Sequence, residues 1–257
     1  MVSEKCRSIV IGGRVKEHFK ITLLVPTLNE IEAVTVVIPK ISKDWADEFI
    51  CIDGGSTDGT VNFMRSQGYH VHSQTKRGFG SGMLEGMHLA KGEIVVEFMP
   101  DGNSVPADIP RITAKINEGY DLVIGSRYGE GAKSDDDDWL TGIGNWLFTT
   151  IVNVMFWTRY TDVLTGFRAY RRSRFIPLNM NTPGLSWPCQ SCIRAARAGL
   201  RIVDIPADEP PRIGGQRKMG PIKTGIEISL LILREFFTYW PSAASKEAAK
   251  EAANPTR

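Results

Sequence analysis

The sequence predicts an α/β protein in which a Rossmann-like, mostly parallel, twisted sheet carries helices on both faces. Apolar runs at 21–25, 49–52 and 94–98 have the length of strands, and helix-like segments separate them. A loop rich in Asp, Asn, Glu or Gly follows each run. Because open α/β sheets bind ligands beyond the carboxyl ends of their strands, these loops predict a polar site at one sheet edge.

The elements follow in order from Lys20, where the alternation of strands and helices begins. Residues 1–19 show no regular pattern, so we expect an irregular extension there. Five strands with intervening helices are predicted to wind in the right-handed sense. The strands lie at 21–25, 49–52, 70–73, 94–98 and 121–125, and helices are predicted after Asn29, Asp58, Gly78 and Pro106.

The residues after Ser126 have a different character. The acidic run at 135–138 predicts a solvated turn or a helix N-terminus, where carboxylates favour the helix dipole. The uncharged stretch 140–157 approaches the length of a membrane span, but its Asn and Thr residues favour a buried or interfacial amphipathic helix. The expected domains are an extension at 1–19, the main domain at 20–220, an apolar helix at 221–240 that faces either the core or a membrane, and a disordered tail at 241–257.

Composition narrows the class of protein. A chain of 257 residues can bury one large α/β core, and its 42% hydrophobic and 23% charged residues are ordinary for a soluble protein. A net charge of +2 offers no general surface for a polyanion, so no nucleic-acid partner is expected. The first 20 residues lack the apolar core of a signal peptide, which predicts a cytoplasmic protein. Cys189 and Cys192 are too few ligands for zinc, and we expect reduced, buried thiols rather than a redox pair.

The polar loops suit a nucleotide and a metal. Asp53 ends a strand, where a carboxylate can accept hydrogen bonds from a base or a ribose hydroxyl. Asp101 and Asn103 are spaced so that both can give oxygen ligands to one divalent ion, which would also hold a diphosphate. Such an ion would neutralise a departing nucleoside diphosphate. The pattern therefore favours a site for a nucleotide-sugar donor.

These segments resemble the family 2 glycosyltransferases with the GT-A fold, and most closely the polyprenyl-phosphate (dolichol-phosphate) hexose synthases. The resemblance covers residues 20–220 and rests on several segments in family order. They are Pro26-Thr27-Leu28-Asn29-Glu30, Asp53 with the glycines that follow, Arg77-Gly78-Phe79-Gly80, Asp101-Gly102-Asn103, Gly125-Ser126-Arg127-Tyr128, Asp162-Val163-Leu164-Thr165-Gly166-Phe167-Arg168, and the basic loop at 212–218.

The resemblance implies a role for each matching residue. The nucleotide ligands would be Pro26, Thr27, Asn29, Glu30, Asp53, Gly55, Arg77, Gly78, Gly80, Asp101 and Gly102. A divalent cation, Mg²⁺ or Mn²⁺, would be held by Asp101 and Asn103. The catalytic residues would be Asp101, Asp162 and Arg168, and the acceptor phosphate would contact Arg127, Arg168, Arg212 and Lys218.

Three positions depart from the family pattern. Asn103 is a neutral ligand where the family has its second acid. Gly54 replaces the second acid of the loop that begins with Asp53, and Gln190 stands near an expected Glu.

The implied activity is inverting transfer of a hexose from a GDP- or UDP-hexose to a polyprenyl phosphate at the cytoplasmic face of a membrane. A phosphate monoester has a second pKa of about 6 and is largely a dianion at neutral pH, so it needs no strong base. Transfer to a hydroxyl acceptor would need a base, and Asp162 is the candidate.

Two other classes of protein are alternatives to a glycosyltransferase. A non-catalytic module that binds sugar nucleotides is an alternative because two acidic positions are neutral. A sugar-nucleotide pyrophosphorylase would carry its Gly-rich basic loop directly after the first strand, where this chain has Pro-Thr-Leu-Asn-Glu.

Overall fold

The computed structural model describes residues 6–11, 14–137, 139–214 and 220–238. Its strands are β1 (Cys6–Ile11), β2 (Arg14–Phe19), β3 (Ile21–Thr27), β4 (Glu48–Asp53), β5 (His70–Ser73), β6 (Ile94–Glu97), β7 (Leu122–Ser126), β8 (Arg168–Arg171) and β9 (Ile202–Pro206). Its α-helices are α1 (Ile31–Val37), α2 (Thr60–Ser66), α3 (Phe79–Leu89), α4 (Ile109–Asn117), α5 (Trp139–Phe156), α6 (Arg172–Phe175), α7 (Trp187–Arg197) and α8 (Pro221–Thr238). Short 3₁₀ helices occupy Ile38–Lys40, Lys43–Trp45, Pro106–Asp108 and Ile176–Leu178.

Strands β3 to β9 form one mixed sheet in the order β5-β4-β3-β6-β8-β7-β9. Neighbouring strands in it are parallel except at β8, which runs antiparallel to both β6 and β7. Since β6 and β7 both oppose β8, they point in the same direction as β3, β4 and β5. The predicted GT-A type of sheet, mostly parallel and with helices between its strands, is confirmed.

The register of the sheet brings the predicted loops together. Thr27 at the end of β3 is the partner of Asp53 at the end of β4, and Leu24 is the partner of Glu97 at the end of β6. Arg168 begins the reversed strand β8 opposite Glu97, so β8 starts at the edge where its neighbours end. The loops after β3, β4, β6 and β7 therefore leave the sheet at one edge, where the chain also enters β8.

Helices cover both faces of the sheet, and each face has its own hydrophobic core. Adjacent residues of β3 point to opposite sides, so Leu23 belongs to the core with α1, α2 and α4. Leu24 belongs to the other core, with α3, α5, α7 and α8. Helix α8 is also held by an ion pair in which the fully buried Glu235 accepts hydrogen bonds from Arg194, at 2.8 Å.

The structure corrects the prediction for the N-terminus and for two strands. Residues 6–11 and 14–19 are not irregular, because they form the antiparallel hairpin β1–β2. Strands β8 and β9 were not predicted. The sequence of β8, Arg-Ala-Tyr-Arg, is polar at both ends, and β9 is a short edge strand that ends in Pro206, so neither has the apolar run of a central strand.

Helices α5 and α8 lie side by side and leave many apolar side chains exposed. On α5, four residues at helical spacing face inward: Asn145, Thr149, Val152 and Phe156. The expected buried or interfacial helix at 140–157 is therefore present. Within the ranges that the structure describes, no helix is both long and apolar enough to cross a membrane. The expected tail at 241–257 lies outside the described residues.

The cysteines behave as expected for structural residues. Cys51, Cys189 and Cys192 are free and buried. Burial raises the pKa of Cys192 to about 11, although the neighbouring Arg168 guanidinium opposes this shift. A redox role is not favoured, because such chemistry requires an accessible thiolate.

Candidate active site

A cavity of about 510 Å³ opens at the sheet edge where the polar loops converge. Thr27 at the end of β3, Asp101 after β6 and Arg127 after β7 all line it. Helices α5 and α8 contribute Thr141 and Lys223 to its wall. The volume lies within the range of sites for small molecules and cofactors. The loops after several strands thus form one cavity, as the sequence predicted.

The structure brings about half of the predicted site residues to the cavity. The predicted residues that line it are Pro26, Thr27, Glu30, Gly78, Asp101, Asn103, Arg127 and Arg212. The predicted residues that lie elsewhere in the described part of the chain are Asn29, Asp53, Gly55, Arg77, Gly80, Gly102, Asp162 and Arg168. Lys218 lies outside the described residues.

Asp53 stabilises the turn after β4. Its Oδ2 accepts hydrogen bonds from the backbone N–H groups of Gly55, at 2.9 Å, and Ser56, at 3.0 Å. Gly55 adopts a φ of 101°, a region that favours glycine. Asp53 is only 3% exposed, so its carboxylate meets the backbone and not the cavity. These residues hold the turn that presents Gly54 to the cavity wall.

Asn29 and Arg77 are exposed and do not reach the cavity wall. Asn29 connects the first two motifs, since its Oδ1 accepts a hydrogen bond from the Thr57 N–H at 2.8 Å. Its own N–H donates to Ser56 Oγ at 2.9 Å. Asn29 therefore fixes the two loops to each other.

The glycines of the third and fourth motifs are required by close backbone contacts. A Cβ on Gly80 would overlap the carbonyl oxygen of Thr182, and a Cβ on Gly78 would overlap that of Pro183. Gly78 and Gly102 also adopt φ values of 113° and 97°. Gly80 thus allows helix α3 to approach the segment before α7, a packing role that the sequence did not predict.

Arg212 engages the carboxylate of Asp101. The Arg212 Nη2 lies 2.6 Å from Asp101 Oδ2, and its Nη1 lies 3.8 Å from Glu30 Oε1. The other oxygen of Asp101, Oδ1, accepts a hydrogen bond from the Asn103 N–H at 3.2 Å. The backbone N–H of Ile213 donates to the Asp101 carbonyl at 2.8 Å. The predicted metal motif and the start of the basic loop are therefore in direct contact.

Asn103 offers an oxygen that the protein does not use. Its Nδ2 donates hydrogen bonds to Asp136 Oδ2, at 2.8 Å, and to Glu209 Oε1, at 3.3 Å. These bonds orient the amide and leave Oδ1 buried without a hydrogen-bond partner in the described part of the chain. An orphaned amide oxygen beside Asp101 fits a hard divalent cation.

The protein itself supplies few ligands for such a cation. Among the residues that the structure describes, no three His, Cys, Asp or Glu side chains are grouped as a metal site. Magnesium often uses one or two protein ligands together with substrate phosphates and water. Asp101 and Asn103 fit that mode of binding.

Arg127 and Asp162 form a buried ion pair at the cavity wall. Nε and Nη2 of Arg127 donate to the two oxygens of Asp162 at 2.7 and 3.1 Å. Asp162 is fully buried and also accepts from the N–H groups of Leu164 and Thr165. Burial opposes ionisation, but Arg127 and the backbone donors outweigh it and hold the pKa of Asp162 below its usual range. These contacts do not support the predicted role of Asp162 as a base, because a buried carboxylate of low pKa instead anchors Arg127.

Arg168 is fully buried and does not line the cavity, so its contacts do not support the predicted contact with the acceptor. Its Nε donates to the Thr165 carbonyl at 2.7 Å, and its Nη2 donates to the Val163 carbonyl at 3.0 Å. Its Nη1 donates to the Pro188 carbonyl and to Ser191 Oγ. Since every guanidinium nitrogen serves a protein acceptor, Arg168 fastens the loop before β8 to helix α7.

Two members of the acidic run at 135–138 line the cavity, although the sequence predicted a solvated turn or a helix N-terminus. Asp136 Oδ1 accepts a hydrogen bond from the Arg212 N–H at 3.1 Å. Asp137 Oδ2 lies 3.3 Å from Arg127 Nη1, and its side chain is 6% exposed. The run does precede helix α5, as expected, but Asp136 is held inward by the Arg212 N–H and Asn103 Nδ2, and Asp137 by the Arg127 guanidinium. Asp138 is not among the described residues.

Glu209 and Lys223 also line the cavity, and no motif identified them in the sequence. Glu209 Oε1 lies 3.3 Å from Arg127 Nη1 and accepts a hydrogen bond from Asn103 Nδ2. Burial raises the pKa of Glu209, although Arg127 opposes the shift. Glu209 therefore connects the predicted metal ligand to the predicted phosphate ligand.

The cavity combines groups for a cation with groups for an anion. Asp101 and Asn103 offer oxygen atoms, while Arg127, Arg212 and Lys223 offer positive charge. Such a site suits a ligand that carries phosphate groups together with a divalent ion. Its means of catalysis are orientation and stabilisation of developing charge.

Comparison with known sequences identifies the family. The model of the family described as "Glycosyl transferase family 2" matches residues 22–177, more than half of the chain. The dolichyl-phosphate hexose transferase of Haloferax volcanii is 31% identical over 219 residues, which cover 83% of this chain and 92% of that protein. The undecaprenyl-phosphate mannosyltransferase of Micrococcus luteus is 28% identical over 214 residues, with coverages of 78% and 87%.

Solved structures agree on the fold. Glucosyl-3-phosphoglycerate synthase of Mycobacterium tuberculosis, crystallised with Mn²⁺, UDP and phosphoglyceric acid, is similar with a TM-score of 0.70. The match covers 87% of this chain and 80% of that chain at 21% identity, which shows the fold alone. The family model and the sequence relatives show more than the fold, and together they establish that this chain belongs to glycosyl transferase family 2.

Proposed function

We propose that this glycosyltransferase moves a hexose from a GDP- or UDP-hexose to a polyprenyl phosphate at the cytoplasmic surface of a membrane. The observation that carries the proposal is the position of the cavity. Its wall includes Thr141 of α5 and Lys223 of α8, the two helices with exposed apolar side chains. A charged cavity beside an apolar surface matches an acceptor with a phosphate head and an isoprenoid tail.

The donor is assigned to the loops after β3 and β6 and to the start of α3. Pro26, Thr27 and Gly78 line this part of the cavity. Asp101 and the orphaned oxygen of Asn103 would hold Mg²⁺ or Mn²⁺, which would screen the charge of the diphosphate. A structural neighbour supports this assignment, since glucosyl-3-phosphoglycerate synthase of Mycobacterium tuberculosis was crystallised with Mn²⁺ and UDP.

Arg127 is the proposed ligand for the acceptor phosphate because, unlike the fully buried Arg168, it lines the cavity and keeps 13% of its side chain exposed. Its Nη1, which lies 3.3 Å from both Asp137 and Glu209, would exchange these long contacts for the phosphate. Asp162 holds its Nε and Nη2, so the orientation of the guanidinium is fixed before any ligand arrives. Preorganisation lowers the entropic cost of binding, and a guanidinium matches the geometry of phosphate oxygens. Lys223 supplies a second positive charge on the α8 side of the cavity.

The reaction is a displacement at the anomeric carbon. An oxygen of the acceptor phosphate forms the new bond to this carbon, and the bond from the carbon to the diphosphate oxygen breaks. The nucleoside diphosphate leaves with that electron pair, and a single in-line step inverts the configuration. The nucleophile is already largely a dianion at neutral pH, so the reaction needs no proton acceptor such as Asp162.

The acceptor test compares a polyprenyl phosphate with the matching polyprenol, which lacks only the phosphate. The purified protein is incubated with Mn²⁺, detergent and radiolabelled UDP- or GDP-hexoses, and lipid-soluble label is counted. We expect label on the polyprenyl phosphate alone, with one of the two nucleotides strongly preferred. Equal transfer to the polyprenol, or transfer only to soluble hydroxyl compounds, would contradict the proposal.

Transfer to a hydroxyl acceptor is the second candidate, and Glu209 is the observation that favours it. Glu209 lines the cavity, and burial raises its pKa, as a general base requires. In that reaction Glu209→Gln would abolish turnover. In transfer to a phosphate, the same variant would retain most activity at saturating acceptor, because the nucleophile has no proton to remove.

The membrane surface is assigned to the outer faces of α5 and α8. Trp146 of α5 is 67% exposed and Ile222 of α8 is 80% exposed, in a larger apolar group. Contiguous exposed apolar side chains mark interaction sites, and Trp favours the interface of a bilayer. The names of the relatives, which include a polyprenol monophosphomannose synthase of Mycolicibacterium smegmatis, support a membrane-borne acceptor.

Sedimentation with liposomes tests this surface. We expect the protein to sediment with phospholipid vesicles and the double variant Trp146→Gln, Ile222→Gln to remain in the supernatant. Val36→Gln is the matched control, because Val36 is 44% exposed on α1, on the opposite face of the sheet. Equal sedimentation of the double variant and the wild type would contradict the assignment of the membrane-binding surface to α5 and α8.

A further inference from the structure

Arg212 stands where a divalent cation would meet Asp101. We propose that Arg212 is a competing counter-cation: it neutralises Asp101 in the metal-free protein, and it must leave Asp101 before a metal ion can bind there. The proposal rests on the proposed function, because it takes Asp101 and Asn103 as the metal ligands. It adds a positioning residue that sets the affinity of the site for its ion.

Both oxygens of Asp101 are engaged in the structure. Oδ2 accepts from Arg212 Nη2 at 2.6 Å, and Oδ1 accepts from the Asn103 N–H at 3.2 Å. The Asn103 N–H is part of the turn, so Oδ1 is bound to a fixed group. Oδ2 is bound to the end of a long side chain, which can rotate away. A metal ion on Oδ2 therefore exchanges with Arg212 and leaves the turn intact.

The contacts of Arg212 indicate that it can be displaced. Its second ion pair, from Nη1 to Glu30 Oε1, is long at 3.8 Å. Its Nε is buried without a hydrogen-bond partner within the ranges that the structure describes. A guanidinium fully bound in one place would satisfy Nε as well, as Arg127 does with Asp162. Arg212 is thus held at Asp101 by one short contact.

Asn103 is ready for the ion in the same structure. Its Oδ1 already lacks a partner in the described residues, and its Nδ2 is fixed by Asp136 and Glu209. One ligand is therefore free and the other is covered by Arg212. The apparent affinity for metal is the intrinsic affinity multiplied by the fraction of molecules in which Asp101 is uncovered. A contact populated about nine-tenths of the time therefore weakens binding about tenfold.

The exchange also links the two halves of the reaction. Once Asp101 binds a metal ion that also holds the donor diphosphate, the displaced Arg212 guanidinium is available to an anion in the same cavity. The acceptor phosphate is such an anion. Removing Arg212 should therefore lower the concentration of Mn²⁺ that gives half-maximal activity and, at the same time, raise the KM for the acceptor.

Binding of Mn²⁺ alone, without nucleotide, tests the competition directly. Electron paramagnetic resonance of free Mn²⁺ gives the Kd for the wild type, Arg212→Gln and Lys223→Gln. Lys223→Gln is the matched control, because it removes one positive charge from the same cavity at a residue outside the Asp101 contact. Thermal melts verify folding, and Arg212→Lys, which keeps the charge without the planar guanidinium, provides a milder variant.

We expect Arg212→Gln to bind Mn²⁺ about tenfold more tightly than the wild type, and Lys223→Gln to change the Kd by less than about twofold. Arg212→Lys should fall between the wild type and Arg212→Gln. An unchanged or weaker Kd in Arg212→Gln, or an equal gain in Lys223→Gln, would overturn the proposal. Absence of Mn²⁺ binding in the wild type and in every variant, even with UDP or GDP, would instead overturn the metal site of the proposed function.

Discussion

Replacement of Asp162 by Asn distinguishes an anchor for Arg127 from a general base. In the wild type, the two oxygens of Asp162 accept from Nε and Nη2 of Arg127 at 2.7 and 3.1 Å. Asn has the same shape, but it removes the charge and turns an N–H group toward one of the two donors. Its remaining oxygen can still accept from the N–H groups of Leu164 and Thr165.

The expected loss of stability follows from these two bonds. A hydrogen bond to a charged group contributes about 1.5–3 kcal/mol, so losing the bond from Nε and weakening the bond from Nη2 predicts a loss of about 2–4 kcal/mol in the free energy of unfolding. Breaking a buried ion pair by removing one partner costs about 3–5 kcal/mol, which agrees. Solvent does not screen this pair, because Asp162 is fully buried and the Arg127 side chain is 13% exposed.

Urea unfolding of the wild type, Asp162→Asn, Arg127→Met and the double variant measures the coupling between the two residues. Asp137→Asn is the matched control, because Asp137 contacts the same guanidinium through one longer bond of 3.3 Å. We expect a smaller loss there, about 1 kcal/mol. In the activity assay, Asp162→Asn should raise the acceptor KM and leave the donor KM nearly unchanged.

The opposite pattern would refute the anchor. If Asp162 were the base, Asp162→Asn would reduce kcat by several orders of magnitude, with stability within about 0.5 kcal/mol of the wild type and an unchanged acceptor KM. The acidic limb of the pH profile would also disappear in the variant. Independent effects of Asp162→Asn and Arg127→Met on stability would likewise refute the pairing.

Three further predictions concern the metal, the buried core and a glycine. Asp101→Ala should abolish Mn²⁺ binding and turnover in a folded protein, and activity that resists a chelator would contradict the metal site. Burial raises the pKa of Glu97 from 4.5 to about 7, so its bound proton stabilises the fold at low pH, and this stability is lost as the pH rises through about 7. Glu97→Gln should therefore be more stable than the wild type at pH 8 by up to about 3–4 kcal/mol, from about 2.5 pKa units at about 1.4 kcal/mol each, and should match it near pH 4. Parallel pH curves from denaturant titrations would contradict this. Gly80→Ala should lower the melting temperature, since its Cβ would overlap the Thr182 carbonyl. Gly144→Ala, at a helical position with open space among the described neighbours, should raise it. Equal shifts in the two variants would contradict the packing role of Gly80.

The sequence was informative where a signal depends on neighbouring residues. Strands β3, β4, β6 and β7 could be predicted because each is an apolar run, and a run of that length must be buried on both faces in a parallel sheet. The loops that follow them could be placed at one edge for the same reason. Family motifs such as Asp101-Gly102-Asn103 added the expected ligand, and this segment does line the cavity through Asp101 and Asn103.

The sequence was less informative about the direction in which a polar side chain points. Asp53, Asp162 and Arg168 all belong to recognisable motifs, but all three are buried and bonded to protein groups. Asp162 meets Arg127, 35 positions away along the chain, and Arg168 meets helix α7. A motif shows that a residue type belongs at a place in the fold, whereas its partners are fixed only when distant segments meet.

The sequence by itself determined the fold class, the order of the elements from β3 to β7 along the chain, and the family, because hydrophobic periodicity and local motifs can be read without knowledge of long-range contacts. Only the tertiary structure decided that Glu209 and Lys223 reach the cavity, that Arg212 covers Asp101, and that α5 and α8 leave their apolar faces exposed. Each of these facts depends on a contact between segments far apart in the chain. Such contacts arise from packing and electrostatics in three dimensions, and they leave no period or spacing in the sequence.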